Sequence, residues 1–253
     1  MIFDRPEVIG HRGAGRGVVD GARENTTASF HAAVAAGAGW VEVDVRRTRD
    51  DALVVYHDEK LPDGRVIVDL TAAECTAAGV ATLDEILTAL PSEVGIDFDV
   101  KTVMEDALCP QHRRTVSLLA PRLREQRDGT RPRRMFVSSF DPSVPLAVRD
   151  EAPGVPVAWM PYVRGSIDQA LPGAVGMGCD VVCLDARALG VAGADPDPTH
   201  RSIGYAVDLA HRAGLAVVSW CPDPVDSVRF VDAGVDAVVV DDVPGTVAAL
   251  KER

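Results

Sequence analysis

The sequence predicts a closed barrel of eight parallel β-strands surrounded by helices, the (β/α)8 barrel of the α/β class. Short runs rich in valine alternate with longer amphipathic stretches along the whole chain, which is typical of a parallel sheet whose strands are joined by helices. The alternation gives about eight β/α units in 253 residues, and about 250 residues is the usual length of an eight-unit barrel.

The predicted elements follow one another from the amino terminus. Residues 7–10 form the first strand, and residues 40–45 and 52–56 form a second β region with an extension. Helices are predicted after these strands at 26–37 and 82–90. The remaining predicted strands are 94–100, 134–139, 155–160, 180–184, 215–220 and 235–241, and the remaining predicted helices are 109–126, 143–152, 166–178, 201–214, 224–234 and 243–253.

An open, doubly wound sheet is the alternative architecture. The segment His11–Gly17 reads HRGAGRG, which has a GxG spacing but not the complete fingerprint of a dinucleotide-binding sheet. No linker rich in Pro, Gly or Ser is long enough to divide the chain, and the segment Gly190–Arg201 is predicted to be a loop of the barrel. We therefore expect residues 1–253 to form a single barrel domain.

The composition limits the classes of function. A net charge of −12 argues against a nucleic-acid partner held by general electrostatics. The sequence shows no signal peptide and no apolar run near the ~20 residues of a membrane span, so we expect a cytoplasmic protein without membrane insertion. The cysteines are scattered without a CxxC pair, which favours free thiols over a zinc site; they are Cys75, Cys109, Cys179, Cys183 and Cys221.

Two neighbouring predicted strands carry acidic residues on one face. Residues two apart in a strand share a face, so Glu42 and Asp44 lie together, as do Asp97, Asp99 and Lys101. The active site of such a barrel lies at the carboxyl ends of its strands, and carboxylates gathered there repel one another unless a cation compensates. Oxygen ligands of this kind suit Mg²⁺ or Ca²⁺. The alternative is a solvated strand end or a salt bridge to Lys101.

Two histidines end the predicted strands on either side of these acids. His11 follows the first strand and His57 follows the extension of the second, so a barrel brings both to the same mouth. Imidazole suits a general acid or base near neutral pH. Asp58 is placed to orient His57, and Arg12 is placed to bind a phosphate with two hydrogen bonds. The other histidines are interpreted as structural or exposed, namely His31, His112, His200 and His211.

The stretch that contains these residues resembles the glycerophosphodiester phosphodiesterase family. That family shows HRG, then PENT before a helix rich in Ala and Phe, then ExDV and HD. Here the chain reads HRG at 11–13, ENTTASF at 24–30, EVDV at 42–45 and HD at 57–58. The likeness continues through ATLDEIL, DFDVK, VSSFD, LAVVSW and GVDAVVVDDVP, so it spans nearly the whole chain. The combination is specific, whereas each motif alone is weak.

The resemblance implies a (β/α)8 barrel that hydrolyses glycerophosphodiesters to an alcohol and glycerol 3-phosphate with one divalent cation, Mg²⁺ or Ca²⁺. It implies that Glu42, Asp44 and Asp99 bind the cation. It also implies that His11 and His57 are the acid and the base, without saying which is which. The residues that it places around the substrate are Arg12, Lys101, Glu24, Phe140 and Trp220.

The chain departs from the family pattern at several positions. The family's third cation ligand is usually glutamate, where Asp99 is shorter by one methylene. Arg23 stands where PENT has its proline. WTVN reads WCPD at 220–223, and TDxP reads DDVP at 241–244. These departures concern the substrate pocket more than the central chemistry.

Other functions fit parts of the same pattern. A phospholipase-D-like enzyme acting on lysolipids needs apolar or basic surface near the mouth, which a net charge of −12 and 5% aromatic residues do not favour. A non-catalytic phosphodiester-binding barrel has no need of both His11 and His57. A metallophosphatase on an unrelated barrel needs more His and Asp ligands for its several metal ions.

Overall fold

The computed structural model describes residues 2–4, 6–162, 166–190 and 201–252. Its main sheet has ten strands; two short ones at one end pair antiparallel, and the other eight are parallel. The first of these eight pairs with both the second and the last, so the sheet closes into a barrel. We number the barrel strands in chain order: β1 Glu7–Gly10, β2 Trp40–Arg47, β3 Gly95–Val100, β4 Met135–Ser139, β5 Val157–Trp159, β6 Val181–Asp185, β7 Ala216–Trp220 and β8 Ala237–Val240.

The closed sheet confirms the predicted fold class and excludes the open sheet. Helices follow the barrel strands, and several begin at a Thr, Ser or Asp whose side chain accepts a hydrogen bond from the first turn. The α-helices of the described residues are Thr27–Ala35, Ala72–Ala77, Leu83–Ala89, Thr115–Asp128, Ser143–Glu151, Ile167–Met177, Ile203–Arg212, Pro224–Asp232 and Val243–Lys251.

One predicted helix starts later than expected. The segment 109–126 was expected to be helical throughout, but the α-helix begins at Thr115, after the short 3-10 helices Met104–Ala107 and Gln111–Arg113. The cause is local, because Arg114 has an extended backbone with ψ 151° and so separates the two helical segments. The earlier prediction was therefore wrong for residues 109–114.

The extension of β2 is an antiparallel addition to the barrel. Leu53–Val55 pairs with the end of β2, and Ala81–Thr82 pairs with Leu53–Val55 in turn. A small separate core of apolar side chains packs under this extension. Because the extension returns along β2, it delivers His57 to the carboxyl end of that strand. The N–H of the preceding Tyr56 donates to Asp44 O at 3.1 Å.

The barrel strands bury both of their faces. Val41, Val43 and Phe98 point outward into the core beneath the helices, whereas Trp40 and Phe136 point into the barrel. The rings of Trp40 and Phe136 lie 5.8 Å apart and form an apolar floor. Gly95 is required beside this floor, since a Cβ there would lie 2.2 Å from the indole of Trp40. The acidic side chains of β2 and β3 stand above it.

Part of the chain lies outside the described residues. The predicted loop at 190–201 falls almost wholly in the segment 191–200, as does His200, so both remain predictions. Within the described ranges, no helix combines the length and the apolar character that crossing a lipid bilayer requires.

Candidate active site

Three carboxylates converge at the carboxyl ends of β2 and β3. Glu42, Asp44 and Asp99 each offer an oxygen within 4.8 Å of the others, and all three residues are buried. Asp97 stands opposite Glu42 in the sheet register, and its carboxylate accepts a hydrogen bond from Ser138 Oγ at 2.6 Å. The structure thus brings together the three predicted ligands and gives Asp97 a different partner. We call Glu42, Asp44 and Asp99 the carboxylate cluster.

The three carboxyl groups of the cluster differ in their affinity for protons. Burial raises the pKa of Glu42 well above its ordinary value, and the charges of Asp44 and Asp99 add to this effect. Burial acts on Asp44 in the same direction, but the charges of Lys101, His57 and Arg12 together with the hydrogen bond from Asn25 outweigh it and hold the pKa of Asp44 below its ordinary value. Burial raises the pKa of Asp99 despite the same lysine. The cluster therefore holds three buried carboxyl groups whose negative charges repel one another away from bulk solvent.

The cluster fits a hard divalent cation. Its donor atoms are all carboxylate oxygens, which Mg²⁺ and Ca²⁺ prefer. The buried oxygen Oδ1 of Asp99 accepts no hydrogen bond from the described residues, so it is free to bind an ion. Because a buried acceptor without a partner is costly, this orphaned atom is the observation that most favours a cation site.

Lys101 lies directly against the cluster. Its Nζ forms an ion pair with Asp99 Oδ2 and lies 2.9 Å from Asp44 Oδ1, although the latter contact lacks hydrogen-bond geometry. Burial lowers the pKa of Lys101, but the charges of Asp44 and Asp99 more than offset this and raise it above its ordinary value. The side chain, 11% exposed, is thus a permanent positive charge at the mouth.

The loop after β1 supplies further partners of the cluster. Arg12 donates its backbone N–H to Glu42 Oε2 at 2.8 Å and its Nη1 to Glu24 Oε1 at 3.0 Å. Asn25 donates Nδ2 to Asp44 Oδ2 at 2.7 Å. Asn25 was not among the predicted site residues, although it lies in the ENT segment of the family motif, which was the available signal.

The glycines after β1 allow a tight turn against the first helix. Gly13 has φ 98°, and a Cβ there would lie 2.4 Å from Ser29 Oγ. Ala14 N–H donates to the same Ser29 oxygen at 2.9 Å. The turn holds Arg12 at φ 54°, which aims its backbone N–H at Glu42. The glycine cluster therefore shapes an anion-facing turn and is not a nucleotide fingerprint.

His11 lies between the carboxylate cluster and Asp241. Its Nδ1–H donates to Asp241 Oδ1 at 2.7 Å, and its Nε2 lies 3.8 Å from Glu42 Oε2. Burial lowers the pKa of His11, but the hydrogen bonds with Asp241 and Cys221 outweigh burial and raise it to about 9. His11 is therefore an imidazolium at neutral pH. Asp241 was not predicted to act here, because it was noted only as part of the DDVP segment.

His57 has a different environment on the other side of the cluster. Its Nδ1–H donates to Asp58 Oδ1 at 2.7 Å, as predicted, and its side chain is 34% exposed. Its backbone carbonyl accepts a hydrogen bond from Arg46 Nε at 3.0 Å. Burial lowers the pKa of His57 below its ordinary value, and the charge of Asp44 only partly opposes this. His57 is therefore mainly a neutral imidazole at neutral pH.

Phe140 and Trp220 meet at the mouth from β4 and β7. Their ring centroids lie 5.9 Å apart at an interplanar angle of 87°, and Phe140 is 40% exposed. The two rings form an apolar pair at the mouth, and their role in lining the substrate pocket stays a prediction. A separate cavity of about 350 Å³ opens between the loops after β3 and β4, and its lining residues include Thr102, Asp106 and Asp141 but none of the predicted site residues.

Comparison with known proteins identifies the family. The model of the glycerophosphoryl diester phosphodiesterase family matches residues 11–244 of this chain. The chain belongs to this family. Its members are phosphoric diester hydrolases that depend on a divalent metal, so the chain is an enzyme of that class, and the resemblance read from HRG, ExD and HD is confirmed.

One relative resembles this phosphodiesterase in sequence, and two solved structures share its fold. The Mycobacterium tuberculosis protein named probable glycerophosphodiester phosphodiesterase 2 is 26% identical over 235 residues, covering 86% of this chain and 81% of that protein. The structure of a glycerophosphodiester phosphodiesterase from Parabacteroides distasonis superposes with a TM-score of 0.77 at 21% identity, covering 99% of both chains. An Oleispira antarctica phosphodiesterase in complex with the product sn-glycerol-3-phosphate gives a TM-score of 0.76 at 22% identity, covering 98% of this chain and 97% of that chain.

Proposed function

We propose that this phosphodiesterase hydrolyses glycerophosphodiesters to an alcohol and glycerol 3-phosphate at the mouth of the barrel, with one divalent cation, Mg²⁺ or Ca²⁺. The observation that carries the proposal is the placement of two histidines on either side of the carboxylate cluster, each bonded through Nδ1 to an aspartate. Their surroundings shift their pKa values in opposite directions. Two groups whose surroundings push their pKa values apart are the usual arrangement of an acid and a base. A protein that only bound a phosphodiester would need neither histidine.

Glu42, Asp44 and Asp99 would hold the cation. When bound, a cation of this kind stabilises the negative charge that develops on the phosphoryl oxygens. Arg12 and Lys101 add two fixed positive charges beside the same position, and both suit a phosphate. Glu24 fixes the guanidinium of Arg12 through its bond to Nη1. The substrate phosphate is thereby oriented before the reaction begins.

The charge states assign the two proton-transfer roles. His57, whose pKa is lowered, takes the proton from the attacking hydroxyl. His11, whose pKa is raised to about 9, gives a proton to the leaving alcohol. Asp241 accepts the Nδ1 hydrogen of His11, so Nε2 carries the proton that faces the cluster.

Phe140 and Trp220 complete the substrate site as an apolar wall. Their edge-to-face contact fixes both rings, so they offer a preformed surface to the carbon atoms of the glycerol or of the alcohol. Arg12 and Lys101 supply the charged part of the site from the loops after β1 and β3. A small diester with a polar centre and carbon-rich ends matches this division.

The proposal is tested by incubating the protein and Mg²⁺ with glycerophosphocholine and detecting glycerol 3-phosphate enzymatically. We expect turnover that is lower by about two to four orders of magnitude in His11→Ala and in His57→Ala, the usual contribution of an acid or base. Lysophosphatidylcholine is the comparison substrate. Faster release of choline from the lysolipid would identify a phospholipase-D-like enzyme, and binding without hydrolysis of either compound would identify a binding protein.

A further inference from the structure

A second set of metal-binding side chains lies on the far side of His11. Strands β7, β8 and β1 are neighbours in the barrel, and Cys221, Asp241 and His11 are each the first residue after one of them. Backbone hydrogen bonds fix their relative heights: Cys221 N–H donates to Val239 O at 2.8 Å, and His11 N–H donates to Val240 O at 3.0 Å. Closure of the barrel thus gathers three residues that are distant in the sequence.

The three side chains are arranged as metal ligands. Their ligand atoms all lie within 4.8 Å of one another. Asp241 Oδ1 is 2.7 Å from His11 Nδ1, and Cys221 Sγ is 3.7 Å from the same nitrogen. His11 is buried, and Cys221 and Asp241 are partly exposed, so an ion can reach the set from solvent.

The donor atoms of these three side chains favour a different metal ion from the one that the carboxylate cluster favours. One thiolate, one imidazole and one carboxylate with an open fourth position suit Zn²⁺, which takes Cys, His and Asp ligands in tetrahedral sites. Mg²⁺ and Ca²⁺ prefer oxygen ligands throughout. The two neighbouring sets of ligands therefore differ in chemistry, with His11 between them.

Arg16 is the competing cation at this position. Its Nε donates to Asp241 Oδ2 at 2.7 Å, and its backbone N–H donates to Oδ1 at 3.0 Å. The Arg16 side chain is 60% exposed, so it is able to swing into solvent when an ion binds Asp241. Removing this guanidinium should therefore strengthen metal binding.

We propose that His11, Cys221 and Asp241 form an inhibitory Zn²⁺ site. Binding releases to solvent the proton of the Cys221 thiol and the Nδ1 proton of His11, since metal ligands must be deprotonated. With Zn²⁺ on Nδ1, the His11 ring has a single remaining nitrogen for a proton and no longer forms an imidazolium. It therefore cannot act as the acid, even when the carboxylate cluster holds its own cation. The inhibition rests on the proposed function, whereas the binding does not.

Co²⁺ is the probe for binding, because a thiolate ligand gives a near-ultraviolet charge-transfer band with this ion. The full-length protein is kept in excess Mg²⁺ to fill the carboxylate cluster and is titrated with Co²⁺, then with Zn²⁺. We expect a band that saturates at one equivalent and is abolished by Zn²⁺. Cys221→Ser should lack the band, whereas Cys109→Ser, at another partly exposed cysteine, should keep it.

Zn²⁺ affinity is measured in parallel by competition with a chelating dye. The Zn²⁺ affinity of Cys221→Ser should be lower by more than about 100-fold, since even the outer partners of metal ligands contribute about 10- to 100-fold to metal affinity. Arg16→Ala should bind Zn²⁺ more tightly than the wild type. Turnover of the Mg²⁺-loaded wild type should fall as the site fills, and the residual activity of Cys221→Ser should resist the same Zn²⁺ concentration.

Several results would overturn the proposal. If Cys221→Ser kept the full band or the full Zn²⁺ affinity, Cys221 would not be a ligand and the proposed site would be wrong. Zn²⁺ binding that is lost only in Asp99→Asn would instead place the ion at the carboxylate cluster. If Zn²⁺ filled the site without lowering turnover, the site would bind metal but would not be inhibitory. If Co²⁺ binds through Cys221 but no glycerophosphodiester is hydrolysed, the metal site stands and the proposed function fails.

Discussion

His11 and His57 differ in what surrounds their rings, and this difference sets their charges. His11 is held by the carboxylate of Asp241 within the barrel mouth, while His57 lies at the rim with Asp58 on its Nδ1. The first ring is kept protonated and the second is kept neutral at neutral pH. We propose that a single residue type thereby supplies both the acid and the base.

The first prediction concerns the pH dependence of each histidine's role. We expect a bell-shaped profile of kcat/KM, because the base must be deprotonated and the acid protonated. His57→Asn should remove the acidic limb and His11→Asn the alkaline limb, each with activity about two to four orders of magnitude lower. His31→Asn is the control, because His31 bonds to the carbonyl of Ala89 outside the site. Loss of the opposite limb in each variant would reverse the roles.

The second prediction concerns the stability of the His11–Asp241 pair. The pKa of His11 is raised from 6.5 to about 9, so its contribution is complete below pH 6.5 and is lost as the pH rises through 9. The pKa of Asp241 is lowered from 3.8 to about 2, so its contribution is present above pH 3.8 and is lost as the pH falls through 2.

Urea denaturation of the wild type and of Asp241→Asn tests this linkage. The difference in unfolding free energy should be largest between pH 3.8 and pH 6.5, the two ordinary pKa values, and should shrink towards pH 9. Within this window both groups are charged in the folded and in the unfolded chain, so the folded pair contributes its full attraction at no cost of protonating or deprotonating either group. A difference that stays constant with pH would contradict the ion pair.

At the scale of elements, strands and loops differ in how far the sequence predicts them. The alternation of side chains along β2 and β3 placed Glu42, Asp44 and Asp99 inside the barrel, because a strand has a period of two residues. Asp241 reaches His11 only because the barrel closes, which joins residues 230 positions apart. A pattern within one segment contains no information about such a contact.

The face of the strand alone did not decide whether Asp97 or Asp99 is the third cation ligand, since both residues lie on the same face. The structure separates them because Ser138 on β4 donates its hydroxyl hydrogen to Asp97, whereas Asp99 Oδ1 has no hydrogen-bond donor among the described residues. Burial and the charge of Glu42 raise the pKa of Asp97 well above its ordinary value. Asp97 is therefore a core group hydrogen-bonded to Ser138 that lies outside the carboxylate cluster.

The third prediction compares these two positions. Asp99→Asn should lower Ca²⁺ affinity by about 10-fold or more, because it removes a charged oxygen ligand, and Asp99→Glu should remain active. Asp97→Asn should leave affinity nearly unchanged, because Asp97 is bonded to Ser138 and lies outside the carboxylate cluster, and an amide has the same shape. Calorimetric titration of Ca²⁺ into both variants measures the difference. A large loss for Asp97→Asn alone would move the third ligand to that residue.

At the scale of the whole molecule, the eight β/α units were predictable from the sequence, but the short elements added to them were not. Valine-rich runs and amphipathic helices recur along the chain, so the barrel follows from repetition. The hairpin of Val18–Val19 with Ala22–Arg23 and the short helix Ala72–Ala77 were missed, because elements of two to six residues carry too few side chains to show a period.

The fourth prediction concerns the stability of the whole barrel. A cation that binds only the folded chain adds about 2.7 kcal/mol at 100 times its Kd, and each 1 kcal/mol raises Tm by about 2–4 °C in a domain of this size. We therefore expect Mg²⁺ or Ca²⁺ to raise Tm of the chelated protein by roughly 5–10 °C. Scanning calorimetry measures the shift, and Asp99→Asn should show little of it. An equal shift in that variant would place the stabilising ion elsewhere.

The central claim is that a divalent cation and two histidines hydrolyse a glycerophosphodiester at one site. Phosphorus NMR of glycerophosphocholine tests it directly, with chelated protein to which Mg²⁺ or Ca²⁺ is then returned. We expect the diester resonance to persist under chelation and to be replaced by that of glycerol 3-phosphate once the cation is restored. Full conversion by the exhaustively chelated protein, or an unchanged diester in the presence of both cations, would contradict it.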